Sequence, residues 1–459
     1  MSETKKKNKS TNMDLTLGEP LKVIILFSLP LLLSNLFQQF YNLTDTAIIG
    51  HALGDDALSA IGTVSPLFSF YTTLIFGFTN GFAVIISNCF GSKDEARLKR
   101  ACGTSIIIGI ICTLFISVFG LLFLDLTMDL LGVPENLFNA AKGYIFIVIA
   151  ALPLTFAYNI CASFLRAIGN SIAPLVILIC SAILNIGLDL LFVCVLDKGL
   201  KGAALATAIA QLISATICMI YIVRSVPLLH IKASHLKPDP KQAGNIFVSG
   251  LSFSMMFTIV NVGTLFLQRS INGLGDITIA AHQTARKIDS FCMMPISTIA
   301  SAMATFSGQN HGASKHARIN EGIKKSFLAS CAVIVVLILM IFLFGDKLSY
   351  LISGSKNDEI ISLSHKYLKW NLPFFFVLSI LCLARTTLQG VGSKIAPLAC
   401  SMIEMVMKVI VAERLVGIMG YNGIIICEPL TWIACAIFIC IVYANNKHLK
   451  RAKIKADIS

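Results

Sequence analysis

Three polar residues stand where packing alone would not put them. Asp45 lies inside the apolar segment 21–53 (LKVIILFSLPLLLSNLFQQFYNLTDTAIIGHAL), and Asn185 and Asp189 lie inside a second, 172–195. An ionisable group at membrane depth costs about 2.5–3.5 kcal/mol on insertion scales. Such groups persist mostly where they bind an ion, relay a proton or line a water-filled path. Asn185 and Asp189 are i and i+4, so they share a helix face. Ala203 and Thr207 have the same spacing on the next apolar segment. Carboxylate, carboxamide and hydroxyl oxygens suit a hard cation such as Na⁺. Two close carboxylates also favour a proton on one of them. The plainer reading of the same residues is a hydrogen-bonded polar knot with no part in transport.

The elements that must position these residues are membrane helices. The 459-residue chain is 56% hydrophobic and only 13% charged, with a mean hydropathy of +0.80. A soluble globular chain carries about 25% charged residues. Apolar runs of about 18 residues or more recur along the whole length, the signature of spanning helices. They are too long and too uniformly apolar for barrel strands, which alternate. The net charge of +13 could suggest a nucleic-acid partner. The Lys and Arg instead sit at the ends of apolar runs, as membrane orientation requires. The 14 Cys lie mostly within or beside those runs, with no CxxC pair, and read as small buried apolar residues. No A-x-A cleavage pattern follows the first run, which is read as a retained helix.

The expected fold class is an all-α polytopic membrane protein with twelve spans. Six lie near 21–46, 58–86, 101–124, 140–165, 172–195 and 202–224, and six near 245–271, 280–308, 325–345, 362–386, 395–417 and 422–445. The expected domains are a cytoplasmic tail 1–20, an N-lobe 21–224, a cytoplasmic linker 225–244, a C-lobe 245–445 and a basic cytoplasmic tail 446–459. Four motifs recur in order at nearly one separation. Leu53-Gly54-Asp55 matches Leu274-Gly275-Asp276, and Gly91, Ala96 and Arg97 match Gly312, Ala317 and Arg318. Gly169-x-x-Ile172-Ala173-Pro174 matches Gly392-x-x-Ile395-Ala396-Pro397, and Gly199-x-x-Gly202 matches Gly420-x-x-Gly423. This argues for a duplicated six-helix unit, two parallel bundles related by a pseudo-two-fold axis along the membrane normal, with substrate handled between them. Most of the 37 Lys and Arg fall on the side of the N-terminus, including the cluster at 93–100 and the linker. Both termini are therefore expected in the cytoplasm of a multi-pass plasma-membrane protein. In that frame Asp189 lies roughly 25 Å in and Thr207 roughly 10 Å from the outer face. Asp45 is also in the outer half, so one cluster is feasible.

The second half does not repeat the cluster. The positions matching Asp45, Asn185 and Thr207 are Phe266, Lys408 and Glu428. Glu404 and Lys408 are i and i+4 in the favourable order. Two readings stand: a pair that neutralises itself, or a substrate or proton role for Glu404, Lys408 or Glu428. Pro30, mid-span in the first helix, allows a kink that either bends as a gate or is static. Gln38, Tyr41 and Asn42 make the approach to Asp45 polar, as a wall facing water or substrate would be. Met255, Met256 and Phe291 are candidates for an adaptable apolar cavity, or for ordinary packing. No P-loop GxxxxGK[ST], HExxH or GxSxG occurs, so no enzymatic role is expected.

Several stretches resemble the multidrug and toxic compound extrusion (MATE) family, prokaryotic type. LPLLLSNLFQQFYNLTDTAIIGHALGDDALSAIG is similar to its first-helix signature, and LRAIGNSIAPLVILICSAILNIGLDLLFV to its fourth-to-fifth helix signature. AAHQTARKIDSFCMMPISTIASAMATFSGQNHGA resembles its eighth-helix region, and IEMVMKVI with GYNGIIICEPLTW the end of its second lobe. The resemblance implies two six-helix bundles and cation-coupled efflux by alternating access. It also implies an N-lobe cation site at Asp45, Asn185, Asp189 and Thr207. Some members use a seventh-helix glutamate instead. FVSGLSFSMMFTIVNVGTLFLQ has none here, so no C-lobe cation site of that type is expected. The expected activity is antiport of Na⁺ or H⁺ against organic, cationic or amphiphilic compounds, with a flippase for a lipid-linked saccharide as the alternative. The coupling ion is the only cofactor expected. The expected partners are small organic substrates and the bilayer, not nucleic acid, and the chain is expected to act as a monomer.

Overall fold

The structure, a computed structural model, describes residues 12–237 and 239–450. The first eleven residues of the N-terminal tail, Pro238 of the linker and residues 451–459 of the basic tail lie outside the described residues. Among the described residues there are helices and turns but no strand. The first half holds α1 (Pro20–Gly91), α2 (Glu95–Leu122), α3 (Leu124–Leu130), α4 (Glu135–Ala150), α5 (Leu152–Ala167), α6 (Ile172–Asp189) and α7 (Gly199–Ser225). The second holds α8 (Pro240–Asn272), α9 (Asp276–Gly312), α10 (His316–Ser353), α11 (Asp358–Asn371), α12 (Phe375–Gly390), α13 (Ile395–Met419) and α14 (Tyr421–Asn445).

Among the described residues, ten helices are long and apolar enough to cross a membrane, or eleven when α4 and α5, bent by 44°, count as one broken span. One of them, α1, is 72 residues long. At about 1.5 Å per residue it is several times the ~30 Å hydrocarbon thickness. It breaks at Gly54 (φ 79°, ψ −173°), a conformation open to glycine. Its two arms are therefore two crossings, which gives the expected twelve.

Helix ends overrun the apolar windows because capping residues, not hydropathy, set them. Asp94 accepts from the Arg97 N–H at 2.9 Å and starts α2 a turn and a half early. Asp239 accepts from the Lys241 N–H, with Pro240 in the first turn, and starts α8 inside the stretch read as linker. The linker itself is shorter than expected and holds two 3₁₀ turns, Pro227–Leu229 and Ala233–Leu236.

The duplication is written in the backbone. Positive φ occurs at matched positions: Gly54 (79°) with Gly275 (90°), Lys93 and Ser314 (both 58°), and Gly132 (66°) with Gly354 (64°). Gly169 and Gly392 (both 86°) and Gly199 (57°) with Gly420 (55°) complete the series. Each half has its own apolar core. One is built on Ile75, Phe82, Leu152, Phe156 and Leu165, the other on Tyr367, Leu368, Phe375, Trp432 and Cys435.

The halves meet at the end of the molecule that carries the termini. Gly77 and Gly81 of α1 press on Ser254 and Gly250 of α8 so closely that a Cβ on Gly81 would lie 2.6 Å from the Gly250 Cα. Ser249 Oγ donates to the Gly81 carbonyl (2.9 Å) and Ser254 Oγ to that of Leu74 (2.8 Å). Asn88 Nδ2 donates to the Gly390 carbonyl (3.1 Å). A shared core of Leu15, Ile24, Phe27, Met303 and Phe306 closes the same end. Further along, Asn35 Nδ2 donates to Thr298 Oγ1 at 3.1 Å. Beyond it, Phe37, Gln38, Gln39 and Phe40 are all exposed. Four consecutive residues cover a full helical turn, so α1 packs closely on neither side there. The cleft between the lobes opens at the end away from the termini.

Candidate ion site and central cavity

The first arm of α1, α6 and α7 bring four of the five sequence candidates together in the N-lobe. Asn185 and Asp189 are 1% and 0% exposed, and they close α6 just before it widens into a π-helical stretch, Leu190–Val195. Single π turns inside α-helices recur at functional sites. With its amide nitrogen facing the carboxylate, Asn185 donates to Asp189 Oδ2 at 2.6 Å and accepts from the Thr207 N–H at 3.3 Å. The Asp45 carboxyl faces that of Asp189 within hydrogen-bonding reach. The Tyr41 hydroxyl lies near Thr207, and Tyr144 of α4 lies within electrostatic range of Tyr41 and both aspartates. Asp45 Oδ1 and Asp189 Oδ1 are buried with no hydrogen-bond donor. Ala203, one turn before Thr207, is buried and could offer only its carbonyl. Tyr144 was not anticipated, because a lone tyrosine in an apolar run gives no positional signal.

A buried acceptor without a donor carries the full desolvation cost of its lost water. Two facing carboxylates repel each other as well. A cation or a proton between Asp45 and Asp189 would remove both costs.

The C-lobe holds a different arrangement at the matching positions. Lys408 Nζ lies 3.3 Å from Glu404 Oε1 and 3.4 Å from Glu428 Oε1. Arg385 Nη2 reaches Glu404 Oε2 at 3.1 Å. Arg286 Nη1 lies 3.3 Å from Asp289 Oδ2 and 3.7 Å from Glu428 Oε1. Glu404 and Lys408 do pair, as their spacing suggests, but within a six-membered chain from α9, α12, α13 and α14. Arg286 and Asp289 share a helix face at i, i+3, a spacing that could have marked them as a pair, but nothing in the spacing of these two or of Arg385 joins them to Glu404 or Glu428.

This chain forms part of the wall of a cavity of about 470 Å³. Met256, Glu404, Lys408 and Glu428 line it, with Phe253, Asn261, Met293, Trp432 and, from the N-lobe, Phe76, Asn80 and Ser87. Gln38, Tyr41, Asn42, Met255 and Phe291 are not among its lining residues. Tyr41 lies with the Asp45–Asp189 cluster, and Gln38, Asn42 and Phe291 are exposed elsewhere. The backbone keeps helical dihedrals through Pro30, and the sharp break of α1 is at Gly54.

The MatE family model matches the chain twice, over residues 30–191 and 251–412. The "Probable multidrug resistance protein YoeA" of Bacillus subtilis (strain 168) is 27% identical over 385 residues, 82% of each chain. The "Multidrug export protein MepA" of Staphylococcus saprophyticus is 23% identical over 413 residues, 90% of each chain. A crystal structure of MATE in the bent conformation superposes with a TM-score of 0.89 at 22% identity, over 98% of this chain and 99% of that one. The two matched stretches fall one in each half, as the repeated backbone requires, and the chain belongs to the MatE family of multidrug and toxic compound extrusion transporters.

Proposed function

We propose that the chain is a cation-coupled antiporter that exports organic compounds by alternating access. The observation that carries this reading is the facing Asp45–Asp189 pair with its two donorless buried oxygens. Na⁺ finds carboxylate, carboxamide and hydroxyl oxygens there, and H⁺ finds two carboxyls to share it. A ligand shifts a conformational equilibrium only by its differential affinity for the two states. An ion entering this site as the cleft opens away from the termini would favour that state, and its departure on the other side would favour closure. The relatives named for multidrug export and the cavity between the lobes support organic compounds as cargo. Both termini are taken as cytoplasmic on the distribution of Lys and Arg, so the open end faces outward.

A flippase for a lipid-linked saccharide is less well supported. The cavity holds one drug-sized ligand, and its six charged residues are three acidic and three basic. Efflux of a fluorescent drug from proteoliposomes, with Na⁺ and pH gradients imposed separately, tests the proposal. Export is expected under one of the two gradients, and export under neither would rule the antiport out.

A further inference from the structure

We propose that the C-lobe wall of the cavity receives an anionic group of the exported compound, with the Arg286 guanidinium as its partner. The first reason is which end of the charge chain faces the cavity. The Arg286 side chain is 38% exposed, whereas those of Asp289, Glu428 and Lys408 are 3–5% exposed and those of Glu404 and Arg385 10% and 14%. The carboxylates also line the cavity but are nearly covered, and the N-lobe residues lining it carry no charge. The charge most open to an entering solute is positive.

The second reason is the geometry of the pairing. Arg286 reaches both of its carboxylates through one nitrogen, Nη1, at 3.3 and 3.7 Å. Tyr367, its other neighbour, offers it one neutral hydroxyl within hydrogen-bonding reach, but is fully buried and is not among the residues lining the cavity. A guanidinium has five N–H donors in a planar fork that matches a carboxylate or sulfonate edge to edge. Neither carboxylate of the chain uses that fork. A cationic head, one of the two classes expected from the sequence, would be repelled by Arg286 before reaching Glu428 or Asp289. An anionic head meets the guanidinium donors that the two carboxylates leave unused, while Met256, Phe253 and Trp432 hold an apolar body beside it. The cavity volume suits one such amphiphile. What the bound compound does next rests on the export reading, but its binding needs no ion gradient and stands or falls separately.

The chain has two tryptophans. Trp370→Phe leaves Trp432, on the cavity wall, as the single donor for energy transfer to a pyrene. In phosphatidylcholine nanodiscs, 1-pyrenebutanoate is expected to bind at least about tenfold more tightly than its methyl ester or trimethyl(pyren-1-ylmethyl)ammonium, the size expected of a charge-assisted hydrogen bond. The charge-balanced Arg286→Gln/Asp289→Asn variant should lose that preference while still binding the ester. Asp45→Asn should keep it, even if coupled efflux is gone. Equal or tighter binding of the trimethylammonium compound by the parent protein would overturn the proposal whatever the variants do. So would an undiminished carboxylate preference in the folded double variant.

Discussion

At the positions where the N-lobe places Asn185 and Thr207, the C-lobe places Lys408 and Glu428. The Lys408 ammonium supplies a permanent positive charge between two carboxylates, where the N-lobe has carboxyl oxygens without donors. One lobe thus carries a tethered cation, and the other is where the proposed antiport would seat a mobile one. Removing the tethered charge should be costly: Lys408→Met leaves Glu404 and Glu428 each short of a partner, a loss of about 3–5 kcal/mol for a broken buried pair. Were Glu404 and Lys408 an isolated pair, Glu404→Gln/Lys408→Met would recover most of that. Here the double change also strips Arg385 of its carboxylate, so the melting temperature of the purified double variant should stay well below that of the parent. A parental melting temperature would mean that the pair is independent of its neighbours. The i, i+4 spacing made this pair legible in the sequence. Arg286 and Asp289, i and i+3 on α9, were legible in the same way; the links of Arg286 to Glu428 and of Arg385 to Glu404 were not, because ion pairs between separate helices depend on packing that no local spacing encodes.

Among the elements, glycine decides where the lobes touch and where the chain turns. Gly77 and Gly81 let α1 and α8 meet backbone to backbone at the closed end. Gly81→Val would force those helices apart. A cysteine placed at Ser87, which is 1% exposed, should then react faster with a hydrophilic maleimide in a Cys-depleted background. Unchanged reactivity would show that the contact does not hold this end shut. Gly54 turns α1 back on itself, and Gly54→Ala should cost about 1–3 kcal/mol in backbone strain, read as lower thermal stability and yield. Apolar runs located the spans well because hydropathy is a local property. Their ends were misplaced by a turn or more where Asp94 and Asp239 cap helices that start outside the apolar window. The π-helical stretch after Asp189 had no signal in composition at all.

For the molecule as a whole, the repeat was legible because a positive φ needs glycine or a tolerant residue, and those residues recur at matched positions. The cleft was not, since which face of a helix meets lipid, partner or water is settled only by the assembled bundle. Orientation has a direct check. A cysteine replacing the exposed Ser234, between the lobes, should be labelled by an impermeant reagent only after cells are opened. Labelling on intact cells would invert the topology and the direction of transport. The central claim is that the Asp45–Asp189 pair takes up the ion that drives export. Its most direct test is efflux from proteoliposomes by the parent protein and by Asp189→Asn at matched protein levels, under the gradient that drives the parent. The variant should insert and fold normally, since removing a buried charge relieves a desolvation cost. It should show no gradient-driven efflux, whereas full efflux by folded Asp189→Asn would contradict the claim.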